Sequence, residues 1–239
     1  MADQPVLGTL YGVGVGPGDP ELITLKAKRL IESAKVIAYP APDTGPSFAR
    51  EIVAGIVPAS AREYAITIPM QTNRFPIKSI YDEAAGELGE VLDAGTDVVV
   101  LCEGDPFFYG SFMYLHSRLA TRYPCEIVPG VSSVMTGGAV SAQPLASLKE
   151  SFAVAPGPLS SDKLTELLQL HDNLVFIKVG RHLPKVRAVI EACGMRDHAV
   201  YMERLGTDAQ RCMPLAALGD KAAPYFSLIQ VNKRRSEPV

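Results

Sequence analysis

Long apolar runs are missing from this chain: no stretch reaches the roughly 18 residues that a membrane-crossing helix needs. The N-terminus, MADQPVLGTLYG, lacks the basic leader and apolar centre of a secretory signal. Cysteine is sparse. Cys102, Cys125, Cys193 and Cys212 show no CxxC spacing, which argues against a zinc site or a disulfide framework and suits reduced thiols in a cytoplasmic protein. There is also little excess of one charge. A net charge of −3 disfavours a general nucleic-acid binder and leaves any important basic groups to act locally. Low-complexity segments and internal repeats are absent, and no glycine-rich turn carries the lysine of a phosphate loop.

The 239 residues are 47% hydrophobic and 21% charged, enough for a packed core in one large or two small domains. Apolar runs and helical periodicities alternate. Strands are expected at 9–15, at 36–39 up to Pro40, at 98–102 and at 126–128. Further strands are expected at 152–155, 174–179, 199–202 and 226–231, the last of these antiparallel. Helices are expected from Asp19 and Pro20 onward, then at 47–56, 79–94, 133–140, 162–170 and 184–192. VVVLC at 98–102 is apolar at every position, as a parallel strand covered on both faces should be. The alternation implies an α/β class, with a mostly parallel first sheet and a mixed second one. The stretch 115–125 offers few apolar anchors, so the expected domains are 1–119 and 120–239, with a ligand cleft between them.

The glycine-rich turn is YGVGVGPGDPE, 11–21. A dinucleotide fingerprint would need a third glycine at 17 or 19, where Pro17 and Asp19 stand. The next strand ends in YPAP, without the acidic residue that holds a ribose. The glycines therefore form a tight turn, or admit a ligand or another segment close to the backbone. LCEGDPFFYG, 101–110, is a second such tip, in which Gly104 permits close approach while Asp105 and Pro106 shape the turn. PGVSSVMTGGA, 129–139, is a third, with Ser132 and Ser133 at a helix start.

These blocks carry a resemblance. YGVGVGPGDPELITLKA, LCEGDPFFYGSFMYL, PGVSSVM, MERLGT and PYFSLIQV resemble, in order, the tetrapyrrole (corrin and porphyrin) methyltransferases, from about position 8 to 231. LCEGDPFFYGSFMYLHSRL, VPGVSS and APYFSLI are similar to the branch that methylates precorrin-2 at C20. The resemblance implies two α/β domains, a homodimer, and S-adenosylmethionine as cofactor. It implies cofactor contacts at Pro17, Glu103, Gly104, Asp105 and Phe108, at Ser132 and Ser133, near Val179, and at Gly206. It also implies a tetrapyrrole substrate, whether metal-free or carrying cobalt. A non-catalytic carrier of a tetrapyrrole or nucleotide is the reading from another class.

A ring bearing acetates and propionates needs cations, and arginine forks suit carboxylates best. Arg50, Arg74, Lys178, Arg181, His182, Arg204 and Arg211 are candidates. Lys178, Arg181 and His182 in KVGRH form the best group, because they follow a strand. Arg204 also follows one, but Glu203 beside it offers a partner. Glu103, Asp105, Tyr109 and His116 are near enough in sequence to act as a base, and nothing selects one. Packing is the simpler role for His116, Tyr81, Tyr109 and Tyr114. No metal ligands, membrane contact or nucleic-acid contact are expected, and the tail 233–238 reads as a frayed end.

Overall fold

The structure is a computed structural model that describes residues 6–69 and 77–233. Arg74 and the tail residues 234–238 lie outside the described residues. Two compact units are present, Met1–Ser132 and Ser133–Val239.

The first unit is built on β1 (Leu10–Gly14), β2 (Val36–Pro42), β3 (Arg62–Ile68), β4 (Val98–Cys102) and β5 (Cys125–Val128), all parallel, in the order β3-β2-β4-β1-β5. Its helices are α1 (Leu25–Glu32), α2 (Phe48–Ile52), α3 (Ile77–Asp93) and α4 (Phe112–Leu119). The alternation of side chains along β4 explains its unbroken apolar run. Val98, Val100 and Cys102 join a cluster with Tyr81, Leu88 and Leu92 of α3 and Phe112 and Leu115 of α4. Val99 and Leu101 face the other way, into a cluster with Ala27 and Ile31 of α1 and Ala49 and Ile52 of α2. Each large side chain buried in this way contributes roughly 1.5–3 kcal/mol before entropy is counted.

The second unit holds β6 (Phe152–Pro156), β7 (Asn173–Ile177), β8 (Ala199–Glu203), β9 (Arg211–Pro214) and β10 (Ser227–Asn232), in the order β6-β7-β10-β8-β9. β6 and β7 are parallel, while β10 runs antiparallel to both β7 and β8, so the sheet is mixed as expected. α6 (Ser161–Leu170) and α7 (Leu183–Ala192) cover one face through Leu164, Leu168, Val186 and Ile190. α5 (Ser133–Ser141) lies against β10 on the other, where Gly137 brings the helix close to Leu228 and Met202.

Three expectations are corrected. The boundary does not fall at 119/120: β5 hydrogen-bonds to β1 and completes the first sheet, so the division comes after Ser132. The sparse anchors of 115–125 reflect a short edge strand. Second, Asp19 caps only the 3-10 turn Pro20–Leu22, accepting from Glu21 N at 2.8 Å. Ile23 is extended, and α1 starts afresh with Thr24 accepting from Ala27 N at 3.2 Å. Third, Pro40 does not stop β2. β2 pairs with β4 only through Ala38, so Pro40 and Pro42 sit where one side of the strand has no ladder to lose. Among the described residues no helix is long and apolar enough to cross a membrane.

Candidate active site

The three glycine-bearing tips follow β1, β4 and β5, the carboxyl ends at which open parallel sheets bind ligands. Here the glycines serve one another first. Gly16 and Gly104 form an antiparallel bridge, with Gly104 N donating to Gly16 O at 2.8 Å. A Cβ on Gly14 would stand 2.6 Å from both Gly104 O and Gly130 N. Three backbones therefore meet at a distance only glycine permits. Gly16 and Gly104 also have positive φ, 81° and 64°.

Asp105 ties these tips together. Its Oδ1 accepts from Phe107 N at 2.9 Å and its Oδ2 from Gly130 N at 3.1 Å, which links the β4 tip to the β5 tip. Pro17, on the β1 tip, is buried beside the Gly16–Gly104 bridge, while Phe108, on the β4 tip, stays exposed. Glu103 is half-buried. Burial raises its carboxyl above the usual range, against the opposing pull of its own amide and that of Ala49 in α2. Ser132 closes the first unit and Ser133 opens α5 in the second.

In the second unit, Val179 and Gly206 lie on the loops after β7 and β8. β7 ends at Ile177, two residues short of the expected end, because Lys178 turns to φ 53°. The Val179 side chain is fully buried in the core, so a ligand could meet only its backbone. Lys178 and Arg181 are exposed and His182 half-buried, with Arg181 Nε donating to His182 Nε2 at 3.3 Å. Burial, then Lys185 and Arg181, push the His182 imidazole below its ordinary value, as expected where cations gather. Glu203 turns away from exposed Arg204 and pairs with Arg211 at 3.0 Å.

That pairing sorts the cations. Arg211 is held by Glu203, and Arg50 by both oxygens of Glu63 at 2.8 and 2.9 Å. No carboxylate pairs with Arg181 or Arg204 among the described residues, which leaves their forks for a ligand. His116 packs edge-on against Phe107 and Tyr114 against Tyr81, with centroids 5.1 and 5.0 Å apart. A cleft of about 440 Å3 at the opposite end of the second sheet is lined by Gln143, His198 and Asn232 among others. None of the candidate residues borders it.

A parallel sheet with three fused glycine tips, joined in sequence to a mixed sheet with exposed cations on its loops, defines a two-unit α/β protein with glycine tips at the carboxyl ends of its parallel strands. The chain belongs to the tetrapyrrole (corrin/porphyrin) methylases, whose family model matches residues 9–218. It is 38% identical to the precorrin-2 C(20)-methyltransferase of a Sinorhizobium species, over 97% of this chain and 98% of that protein. It is 40% identical to the cobalamin biosynthesis protein CobIJ of Mycobacterium bovis over 96% of this chain. The chain spans 47% of that longer relative. The native uroporphyrin III C-methyltransferase of Thermus thermophilus has the same fold, with a TM-score of 0.70 and 25% identity over 95% of this chain and 98% of that one.

Proposed function

We propose that this chain transfers a methyl group from S-adenosylmethionine to C20 of precorrin-2, giving precorrin-3A in cobalamin biosynthesis. The observation that carries the reading is the 38% identity with the Sinorhizobium methyltransferase along essentially the whole of both chains. The donor supplies an electrophilic methyl on a sulfonium, so the protein needs no nucleophilic serine or cysteine. Of the four cysteines, buried Cys102 is held protonated by its surroundings, first of all by desolvation.

The tips after β1, β4 and β5 fit such a ligand. Their small residues let backbone come close to a ligand beyond the hydrogen bonds the tips make with one another, and Asp105 fixes the turn between them. We assign Pro17, Glu103, Gly104, Asp105, Phe108, Ser132, Ser133 and the backbones of Val179 and Gly206 to the cofactor. Lys178, Arg181, His182 and Arg204 are assigned to the substrate's carboxylates. Holding donor and acceptor in line accounts for much of the acceleration, on the order of 7–11 kcal/mol in well-oriented systems. No side chain is assigned as base, since the ring can lose its proton to water.

Incubating the protein with labelled S-adenosylmethionine and either metal-free or cobalt-bearing precorrin-2 tests the reading. Label in the metal-free ring is expected. Label in the cobalt ring alone would move the substrate to the cobalt branch, and binding of either ring without turnover would make the chain a carrier. We also read the chain as a cytoplasmic homodimer, in keeping with its family. Sedimentation at a single protomer mass would remove the dimer.

A further inference from the structure

One row of polar side chains beneath the loops of the second unit has no part in the chemistry assigned so far. Glu203, the last residue of β8, is 8% exposed. One of its oxygens accepts from the Tyr201 hydroxyl at 2.5 Å and the other from Arg211 Nη1 at 3.0 Å. Tyr201 is 1% exposed, and Ser227 lies near enough to its hydroxyl to oppose, as a lesser influence, the rise that burial and Glu203 cause in the phenol. Ser227 Oγ donates to Pro224 O at 2.8 Å and accepts from Gly180 N at 3.1 Å. Register explains the alignment: Glu203 stands opposite Arg211 on β9 and opposite Ser227 on β10. The row therefore crosses β9, β8 and β10 in order and ends on the loop after β7.

That loop is the one needing support. Lys178 has φ 53° and Gly180 φ 21°, while Arg204 on the neighbouring loop has φ 51°. A non-glycine residue in the left-handed region persists only where its surroundings enforce it. Gly180 N on Ser227, and Arg204 N on Phe226 O at 2.9 Å, are enforcing contacts. A buried ion pair is weak evidence for stability, because apolar residues of similar volume often serve as well. Its position under a candidate binding loop gives it a different use.

We propose that Glu203 is a positioning residue: through Tyr201 and Ser227 it holds the loop 178–182 in the shape that presents Lys178, Arg181 and His182 to the tetrapyrrole's carboxylates. The inference rests on the reading of that loop as the substrate's anchor. It explains why Glu203 pairs with Arg211 across the strands, while among the described residues no carboxylate pairs with adjacent Arg204.

The test uses the full chain with Glu203→Gln, Tyr201→Phe and Arg181→Ala, singly and as Glu203→Gln/Arg181→Ala. A glutamine cannot accept from both donors without turning its amide nitrogen toward one of them, and Arg211 cannot accept in return. The Michaelis constant for precorrin-2 is expected to rise about tenfold in Glu203→Gln, with kcat within about twofold, the pattern of lost uniform binding. Because Glu203 acts through the loop, its effect should shrink to about twofold or less in the Arg181→Ala background. Amide exchange at Gly180 should quicken in Glu203→Gln and Tyr201→Phe, while amides of β4 keep wild-type rates. Full additivity of the two substitutions, or unchanged exchange at Gly180, overturns the proposal. If Glu203→Gln fails to fold, Tyr201→Phe with the same readouts decides. If wild-type protein does not methylate precorrin-2, the functional reading fails, and exchange at Gly180 still decides whether the row holds the loop.

Discussion

Asp105 shows how one side chain can set the shape of two strand tips at once. Its two oxygens hold Phe107 N and Gly130 N, so the β4 and β5 tips share one anchor. Removing it forfeits two hydrogen bonds, each worth about 1 kcal/mol, and frees the Gly104 turn. Asp105→Ala should weaken binding of S-adenosylhomocysteine about tenfold or more by calorimetry, with Asp105→Asn intermediate because it keeps one acceptor. Wild-type affinity in both would detach the turn from the cofactor. Glu103, two residues earlier, carries the opposite signature. Burial raises its folded pKa above the ordinary carboxylate value, so in the window between the unfolded and folded values the native state keeps a proton that the unfolded chain has released. Stability therefore falls as pH rises through the window and stays lower above it. Glu103→Gln removes this dependence: relative to wild type, its melting temperature should gain as pH rises from about 4 through the window and then hold level up to pH 8. Parallel curves across that range would show that the carboxyl is not held in a desolvating pocket.

Elements were legible in proportion to how fully they are buried. β4 and β7, covered on both faces, appear in the sequence as unbroken apolar runs, and α3 shows its apolar face at four-residue spacing. β3 and β9 went unrecognised because each is an edge strand with mostly exposed side chains, leaving a pattern close to that of a loop. β5 was recognised as a strand but assigned to the wrong unit, since no local pattern says which sheet a four-residue edge strand joins. The α3 reading also supplies a test. Gly86 lies inside the helix, and a Cβ there would meet nothing within 4 Å. Gly86→Ala should stabilise the fold by roughly 0.5–1 kcal/mol, since it removes the entropic cost of a mid-helix glycine. Urea denaturation measures it, and a loss of stability would mean that α3 does not stand as described.

For the whole molecule, the family and the glycine-bearing strand tips were legible because glycines, prolines and an aspartate recur in order along the chain. The partners of the cations were not, because pairing is decided across strands. Nothing local announces that Arg211 faces Glu203 or that Arg50 faces Glu63 across 13 positions. The overall charge makes that sorting consequential. At −3 the chain as a whole repels a polycarboxylate, so attraction must come from a few forks at close range. Salt screens such contacts over about 10 Å at 0.1 M ionic strength and about 3 Å at 1 M. With Lys178, Arg181 and Arg204 exposed on their loops, the Michaelis constant for precorrin-2 should rise several-fold between low salt and about 0.5 M sodium chloride. On the proposed assignment S-adenosylmethionine is held by backbone groups and a glycine turn, so its constant should barely move. Arg181→Ala should flatten the salt dependence as well as raise the low-salt value, because it removes one of the charges being screened. A tetrapyrrole constant indifferent to salt in wild type would mean that these cations do not hold the substrate, and the carboxylates would have to be met by neutral donors instead.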